Sequence, residues 1–150
     1  MMLIDAINVD NVEAESILKE AINTNPYHFN VNYKNDKGRY PLMCCCFNDN
    51  IKILKLLIEY AEKYNVKLIM NERNNNNANT ILLDYEHNNS IEFIKLLIDY
   101  ANRNHIVIDI NARDRDGDHS LVWSIVYNNV ERAKILFDYA KKNQCKIDFI

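Results

Sequence analysis

The sequence predicts an all-α fold: a solenoid of helical repeats, about four stacked helix pairs joined by short extended, hairpin-like connectors. Three observations carry this expectation. One stretch recurs at intervals of 39–40 residues, only two glycines and two prolines occur among 150 residues, and the longer recurring helix is apolar over most of its circumference. An all-β chain of this length needs far more turn-forming residues. A helix that is apolar on several sides must be packed on several sides, which stacked neighbours provide and an isolated unit does not.

The recurrence is plain in the long helix. Ile53-Leu54-Lys55-Leu56-Leu57-Ile58-Glu59-Tyr60-Ala61 matches Phe93-Ile94-Lys95-Leu96-Leu97-Ile98-Asp99-Tyr100-Ala101 forty residues later. Ala133-Lys134-Ile135-Leu136-Phe137-Asp138-Tyr139-Ala140 follows at a further 39, and Ala14 to Ile22 is a weaker copy 39 residues before the first. Other positions keep this register: Val12, Ile51, Ile91 and Val130 open the long helices, Leu3, Leu42, Leu82 and Leu121 precede them by nine residues, and Asn32, Asn71 and Asn111 close the extended segments. Self-similarity at a fixed period of 20–50 residues is the mark of a repeat architecture.

Each unit therefore reads as a short helix, a long helix and an extended connector. The short helices are expected at about 41–48, 81–88 and 120–127, with a partial copy at 2–9. The long ones are expected at about 52–64, 91–104 and 130–143, with a copy at about 12–23. Period-two alternation follows each: Tyr27, Phe29, Val31; Val66, Leu68, Met70; Ile106, Ile108, Ile110; and Cys145, Ile147, Phe149. Such alternation describes a half-buried extended segment. Glycine is absent from the ends of the long helices, and Asn65, Asn104 and Asn143 stand there as candidates for the left-handed cap.

These residues resemble the ankyrin repeat. Gly38, Tyr40-Pro41-Leu42-Met43, Cys45, Cys46 and Leu56-Leu57 follow the family's order of hairpin glycine, Thr-Pro-Leu-His, small residues and Leu-Leu run. Gly117, His119-Ser120-Leu121-Val122, Ser124 and Leu136 repeat it less faithfully. In the middle copy Ala78 replaces the glycine, and Thr80-Ile81-Leu82-Leu83 keeps the Thr and the first Leu. The chain departs from the pattern in its longer period and in Met43, Leu83 and Val122, which stand where the family has histidine. The resemblance implies one domain over 1–150, with repeats at approximately 1–31, 32–70, 71–110 and 111–150, the first lacking its hairpin.

Composition excludes several classes. A net charge of −3 with interspersed signs lacks the basic stripe that phosphate neutralisation demands, so no nucleic-acid partner is expected. No segment has the roughly 18 apolar residues of a membrane span, and the N-terminus has no basic region ahead of an apolar run. No membrane partner is expected, and the expected location is cytoplasmic. No nucleophile motif or phosphate-binding glycine loop occurs, so no enzyme activity and no cofactor are expected.

The reactive residue types read as structure. Cys44, Cys45 and Cys46, about 100° apart on a helix, cannot form one tetrahedral site by themselves, and small residues belong there. Cys145 falls in an apolar position. His28, His87, His105 and His119 are scattered through the chain and none has ligand spacing. Asp114-Arg115-Asp116-Gly117-Asp118 opens like a calcium loop, but Ile125 stands where the bidentate acid is required. Asn88-Asn89-Ser90 is an accidental sequon, and Asn74 to Asn77 a polar loop.

The resemblance implies a protein–protein interaction scaffold whose partner, of unknown identity, meets the hairpin tips and the exposed side of the short helices. The implied contact residues are Lys37, Arg39 and Asn79, Asp118 at the tips, and Phe47, His87 and Tyr127 on the helices. Basic Arg39 and acidic Asp118 would make the two ends of that surface opposite in sign. Two alternatives stay open: a metal- or redox-responsive helical protein built on the cysteine cluster, and a structural segment of a longer array. The final repeat lacks the polar face of a capping unit, so weak self-association through uncapped ends is also expected.

Overall fold

The computed structural model describes residues 3–9, 11–26, 29–75, 90–113 and 116–148. Among them are seven helices: α1 (Leu3–Val9), α2 (Asn11–Thr24), α3 (Pro41–Phe47), α4 (Ile51–Lys63), α5 (Ile91–Arg103), α6 (Ser120–Val126) and α7 (Val130–Lys142). The described residues contain no strand, only an isolated antiparallel bridge between Arg113 and His119. The helix expected at 81–88, together with Tyr27 and Phe149, lies outside the described residues. None of the helices is long and apolar enough to cross a membrane.

Local chemistry sets each helix start. Pro41 occupies the first turn of α3, where its missing N–H costs nothing. Asn50, Ser90 and Asn129 cap α4, α5 and α7 by accepting from the N–H of Ile53 (3.1 Å), Phe93 (3.2 Å) and Arg132 (3.0 Å). Such caps are each worth about 1 kcal/mol.

The ends of the long helices correct the sequence reading. The left-handed residues are Asn65, His105 and Gln144 (φ +54°, +56° and +54°), not Asn104 or Asn143. In each case the next N–H reaches back five residues: Val66 to Ala61 O (2.8 Å), Ile106 to Ala101 O (2.9 Å) and Cys145 to Ala140 O (2.8 Å). Asn104 and Asn143 fall one place earlier in the register, and their amide nitrogens donate instead to the carbonyls of Tyr100 and Tyr139, both at 2.9 Å. The cap position is thus fixed by helix length, and the side chain found there is the lesser influence.

The long helices contact one another in chain order, α2 on α4, α4 on α5 and α5 on α7, while α1 packs on α2 and α3. Ile53, Leu54, Leu57, Phe93, Ile94, Leu97, Leu121, Leu136 and Cys44 to Cys46 are buried between them. Outward, charged pairs bridge successive long helices: Lys52–Glu15 (2.8 Å), Lys55–Glu92 (3.6 Å) and Lys95–Glu131 (3.9 Å). The last two are exposed on both sides and contribute at most about 1 kcal/mol each, less in salt.

The connectors are held by side chains instead of a β ladder. Asn32 donates to Lys67 O (2.8 Å) and accepts from Ile69 N–H (3.0 Å). Asn71 does the same with Val107 O and Asp109 N–H (both 2.8 Å), and Asn111 with Lys146 O (2.8 Å) and Asp148 N–H (2.9 Å). Running the other way, the Tyr100 hydroxyl accepts from Leu68 N–H (3.0 Å) and the Tyr139 hydroxyl from Ile108 N–H (2.8 Å). The out-facing backbone groups of one connector are thus satisfied by the preceding Asn, and an in-facing N–H by the following Tyr. Tyr60, in the same register, instead donates to the exposed Asn25 side chain at 3.3 Å.

Tyr139→Phe leaves the buried Ile108 N–H without its acceptor and is expected to lower stability by about 1–3 kcal/mol in urea denaturation, whereas Tyr60→Phe changes it by less than about 0.5 kcal/mol. Burial also holds the phenols of Tyr40, Tyr100 and Tyr139 above their ordinary range. The folded state therefore retains protons that the unfolded chain releases near pH 10. The phenols' contribution to stability is expected to be level below that pH and to fall as pH rises beyond it, a slope readable in denaturation midpoints and made shallower by Tyr139→Phe.

Candidate protein-interaction surface

The hairpin before α3 is organised by Asn35. Its side-chain oxygen accepts from Lys37 N–H and Arg39 N–H, both at 3.0 Å, while its backbone pairs with Gly38 N–H and Arg39 O at 2.9 Å. Gly38 takes φ +73°, and a Cβ there would lie 2.5 Å from Asn75 Oδ1 and 2.9 Å from Asn75 N. Asn75, 37 residues onward, meets this turn: its N–H donates to Lys37 O (3.0 Å) and its amide to Asp36 O (2.7 Å). Gly38 is therefore required twice, by its backbone conformation and by the approach of Asn75.

The last hairpin is looser. Gly117 has φ +84° but open space where a Cβ would stand. Arg113 closes this turn by donating to Gly117 O at 2.6 Å. The stretch read as calcium-like is thus the tip of a hairpin, with Asp114 and Arg115 outside the described residues.

Two residues brace the short helices against the connectors. Tyr40 precedes α3 and His119 precedes α6 at the same place in the register, and both are fully buried. The Tyr40 hydroxyl donates to Glu72 O at 2.9 Å, and His119 Nε2 stands 2.6 Å from Asp148 O. His119 is thereby a packing residue, while His105 serves the left-handed turn after α5; His28 and His87 lie outside the described residues.

Two adjoining depressions open between α1, the first hairpin and α3. One, of about 270 Å³, is lined by Asn8, Arg39, Met43, Cys44, Phe47, Asn48 and Asn74. The other, of about 380 Å³, is lined by Ile4, Asp5, Asn8, Tyr33, Asn35, Asp36, Lys37 and Arg39. Arg39 and Asn8 form the ridge that both share. Asn48 fastens the two short helices there, donating to Cys44 O at 2.9 Å, Asn8 Oδ1 at 3.3 Å and Ile7 O at 3.4 Å.

The structure thus brings together three of the residues singled out from sequence: Lys37, Arg39 and Phe47. Tyr127, 54% exposed, lies on the last helix pair, its ring stacked on Trp123 with centroids 5.7 Å apart; Asp118 sits in the last hairpin. Asn79 and His87 lie outside the described residues. Asp5 and Asp36 stand with Lys37 and Arg39, so the end expected to be basic is of mixed charge. Asn8, Asp5 and Asn74 were not singled out. Asn8 stands 39 residues before Phe47 and was within reach of the register.

Cys44, Cys45 and Cys46 are buried, and burial raises the thiols of Cys44 and, most strongly, Cys45. Cys45 Sγ donates to Asn50 O at 3.1 Å. Among the described residues no group of three His, Cys, Asp or Glu is placed to hold a metal ion.

Residues 37–66 match the family model of the ankyrin repeat, a module of protein–protein interaction. The match runs from the tip of the first hairpin to the end of the α4 cap, across Lys37, Arg39 and Phe47. No curated protein matches the chain.

Gly38→Ala is expected to cost more than Gly117→Ala, because only the first adds a clash with Asn75 to the roughly 1–2 kcal/mol of left-handed strain; paired urea titrations check the order. With a thiol-alkylating reagent under native conditions, Cys145, which is only partly buried, is expected to react before the three cysteines of α3. Mass spectrometry of the labelled peptides reads that order directly.

Proposed function

We propose that the chain, whose residues 37–66 match the ankyrin-repeat model, is a protein-binding scaffold, read as four repeats at approximately 1–31, 32–70, 71–110 and 111–150. Its partner is taken on the concave side, at the paired depressions around Arg39. The observation that supports this most is the ridge of Arg39 and Asn8 beside Phe47: a partly exposed aromatic ring sharing one depression with a guanidinium and three amides. Aromatic side chains bury large area at little entropic cost, and an arginine next to one forms the usual centre of a binding surface.

The mixed charge of Lys37, Arg39, Asp5 and Asp36 favours a partner segment that carries both an apolar anchor and polar groups of either sign. Asn79, His87, Asp118 and Tyr127 extend the reading toward the last repeat. No catalytic role is proposed. The cysteine alternative loses weight because the thiols are shut into the core and held protonated by burial.

The test is capture with three baits: wild type, Arg39→Glu with Phe47→Glu, and Tyr127→Glu, each first shown to have the same helical circular dichroism. A partner bound by wild type is expected to lose at least tenfold in affinity for the first variant, about 1.4 kcal/mol or more. A smaller loss with Tyr127→Glu would place that residue at the rim. Equal capture by all three baits contradicts the concave-face reading.

A further inference from the structure

Most arginines of the described residues are held by the chain itself. Arg73 donates to Arg113 O (2.9 Å), Arg103 pairs with Glu62 (2.8 Å) and Asp99, Arg113 donates to Gly117 O (2.6 Å), and Arg132 to Ser120 Oγ (3.2 Å). Arg39 differs. Its backbone is engaged with Asn35, but among the described residues no carboxylate, carbonyl or hydroxyl takes its guanidinium, although the residue is half-buried.

The two depressions that share Arg39 also differ in charge. The one toward the hairpin holds Lys37, Asp5 and Asp36 as well. In the one toward α3, Arg39 is the only charged lining residue, set among the amides of Asn8, Asn48 and Asn74 beside Met43 and Phe47. With its oxygen accepting from Asn48 at 3.3 Å, Asn8 has its N–H2 to offer as a further donor on the ridge. At about 270 Å³ this depression is at the small end of ligand sites, and it suits one or two side chains of a partner.

A partner surface that seats on Phe47 there also takes water from Arg39. Covered by apolar or donor groups, the guanidinium would become a buried unpaired charge. A lone carbonyl meets one arm of the fork. A carboxylate meets two, and neutralises the charge as well. A dianionic phosphate is a poorer match, because Asp5 and Asp36 stand on the far side of the same ridge.

We propose that the partner is recognised through an Asp or Glu side chain whose carboxylate meets Arg39 in the depression toward α3, with an apolar residue of the same segment laid on Phe47 and Met43. This inference rests on the concave-face reading and narrows it from a segment of mixed polarity to one with a required acid beside an apolar anchor.

A phage-displayed library of random peptides of about a dozen residues, selected on the wild-type chain, supplies the probe. The enriched peptides are expected to share an Asp or Glu next to a large apolar residue. Changing that acid to its amide is expected to weaken binding to wild type by at least about tenfold, and to Arg39→Gln by less than about twofold, the coupling that a double-mutant cycle reads. Arg39→Lys is expected to keep only part of that coupling, because the charge stays and the fork is lost. Circular dichroism first checks that the variants keep the fold. Peptides that need Arg39 and Phe47 yet bind equally well as acid and amide overturn this inference and leave the concave-face reading standing. Peptides held as tightly by Arg39→Glu with Phe47→Glu as by wild type, or a selection that enriches nothing, overturn both. Displacement of the peptides by inorganic phosphate but not by acetate assigns the depression to a phosphate group and contradicts the proposal.

Discussion

The structure depends on how the extended connectors satisfy their backbone. These segments alternate buried and exposed side chains as strands do, yet no described residue pairs them into a sheet. Their N–H and C=O groups must still find partners, because a buried unpaired amide costs about 1–3 kcal/mol. Asn32, Asn71 and Asn111 supply two bonds each to the following connector, and Tyr100 and Tyr139 one each to the preceding one. The Asn bonds tie the end of one connector to the body of the next, and the Tyr bonds tie a long helix to the connector before it.

That arrangement couples successive connectors, whereas the helices are joined mainly by apolar contact and exposed ion pairs. Apolar packing is tolerant of sliding, whereas an amide that must bond both a carbonyl and the N–H two residues on fixes a single register. The hairpins inherit that register: Asn75 can seat against Gly38 only if its repeat is held at the right height. The surface proposed for binding, where Arg39, Asn8 and Phe47 converge from a hairpin and two helices, is therefore positioned by bonds remote from it.

Much of this was legible in the sequence. All seven described helices lie within one residue of their expected bounds, because a 39–40-residue recurrence lets each copy calibrate the others. Lys37, Arg39 and Phe47 were found from the family resemblance, and they do line adjoining depressions. The connector bonds were missed for a physical reason. Asn32, Asn71 and Asn111 stood out as a repeated position, but in an Asn-rich chain nothing in their spacing shows an amide reaching 35 to 38 residues onward. Tyr100 and Tyr139 were visible only as members of the recurring stretch, and the fold alone shows their hydroxyls meeting Leu68 and Ile108. The left-handed caps were misplaced by one residue at Asn104 and Asn143, because residue type was followed there and the repeat register was not.

The most direct test of this account is native-state hydrogen exchange at four amides: Leu68, Ile69, Ile108 and Asp109. They lie in segments without regular secondary structure, so protection there reports the Asn and Tyr bonds and no ladder. All four are expected to exchange far more slowly than unstructured amides, with Asp109 released by Asn71→Ala. Exchange at all four as fast as in an unstructured peptide would contradict the claim that these side chains hold the repeats in register.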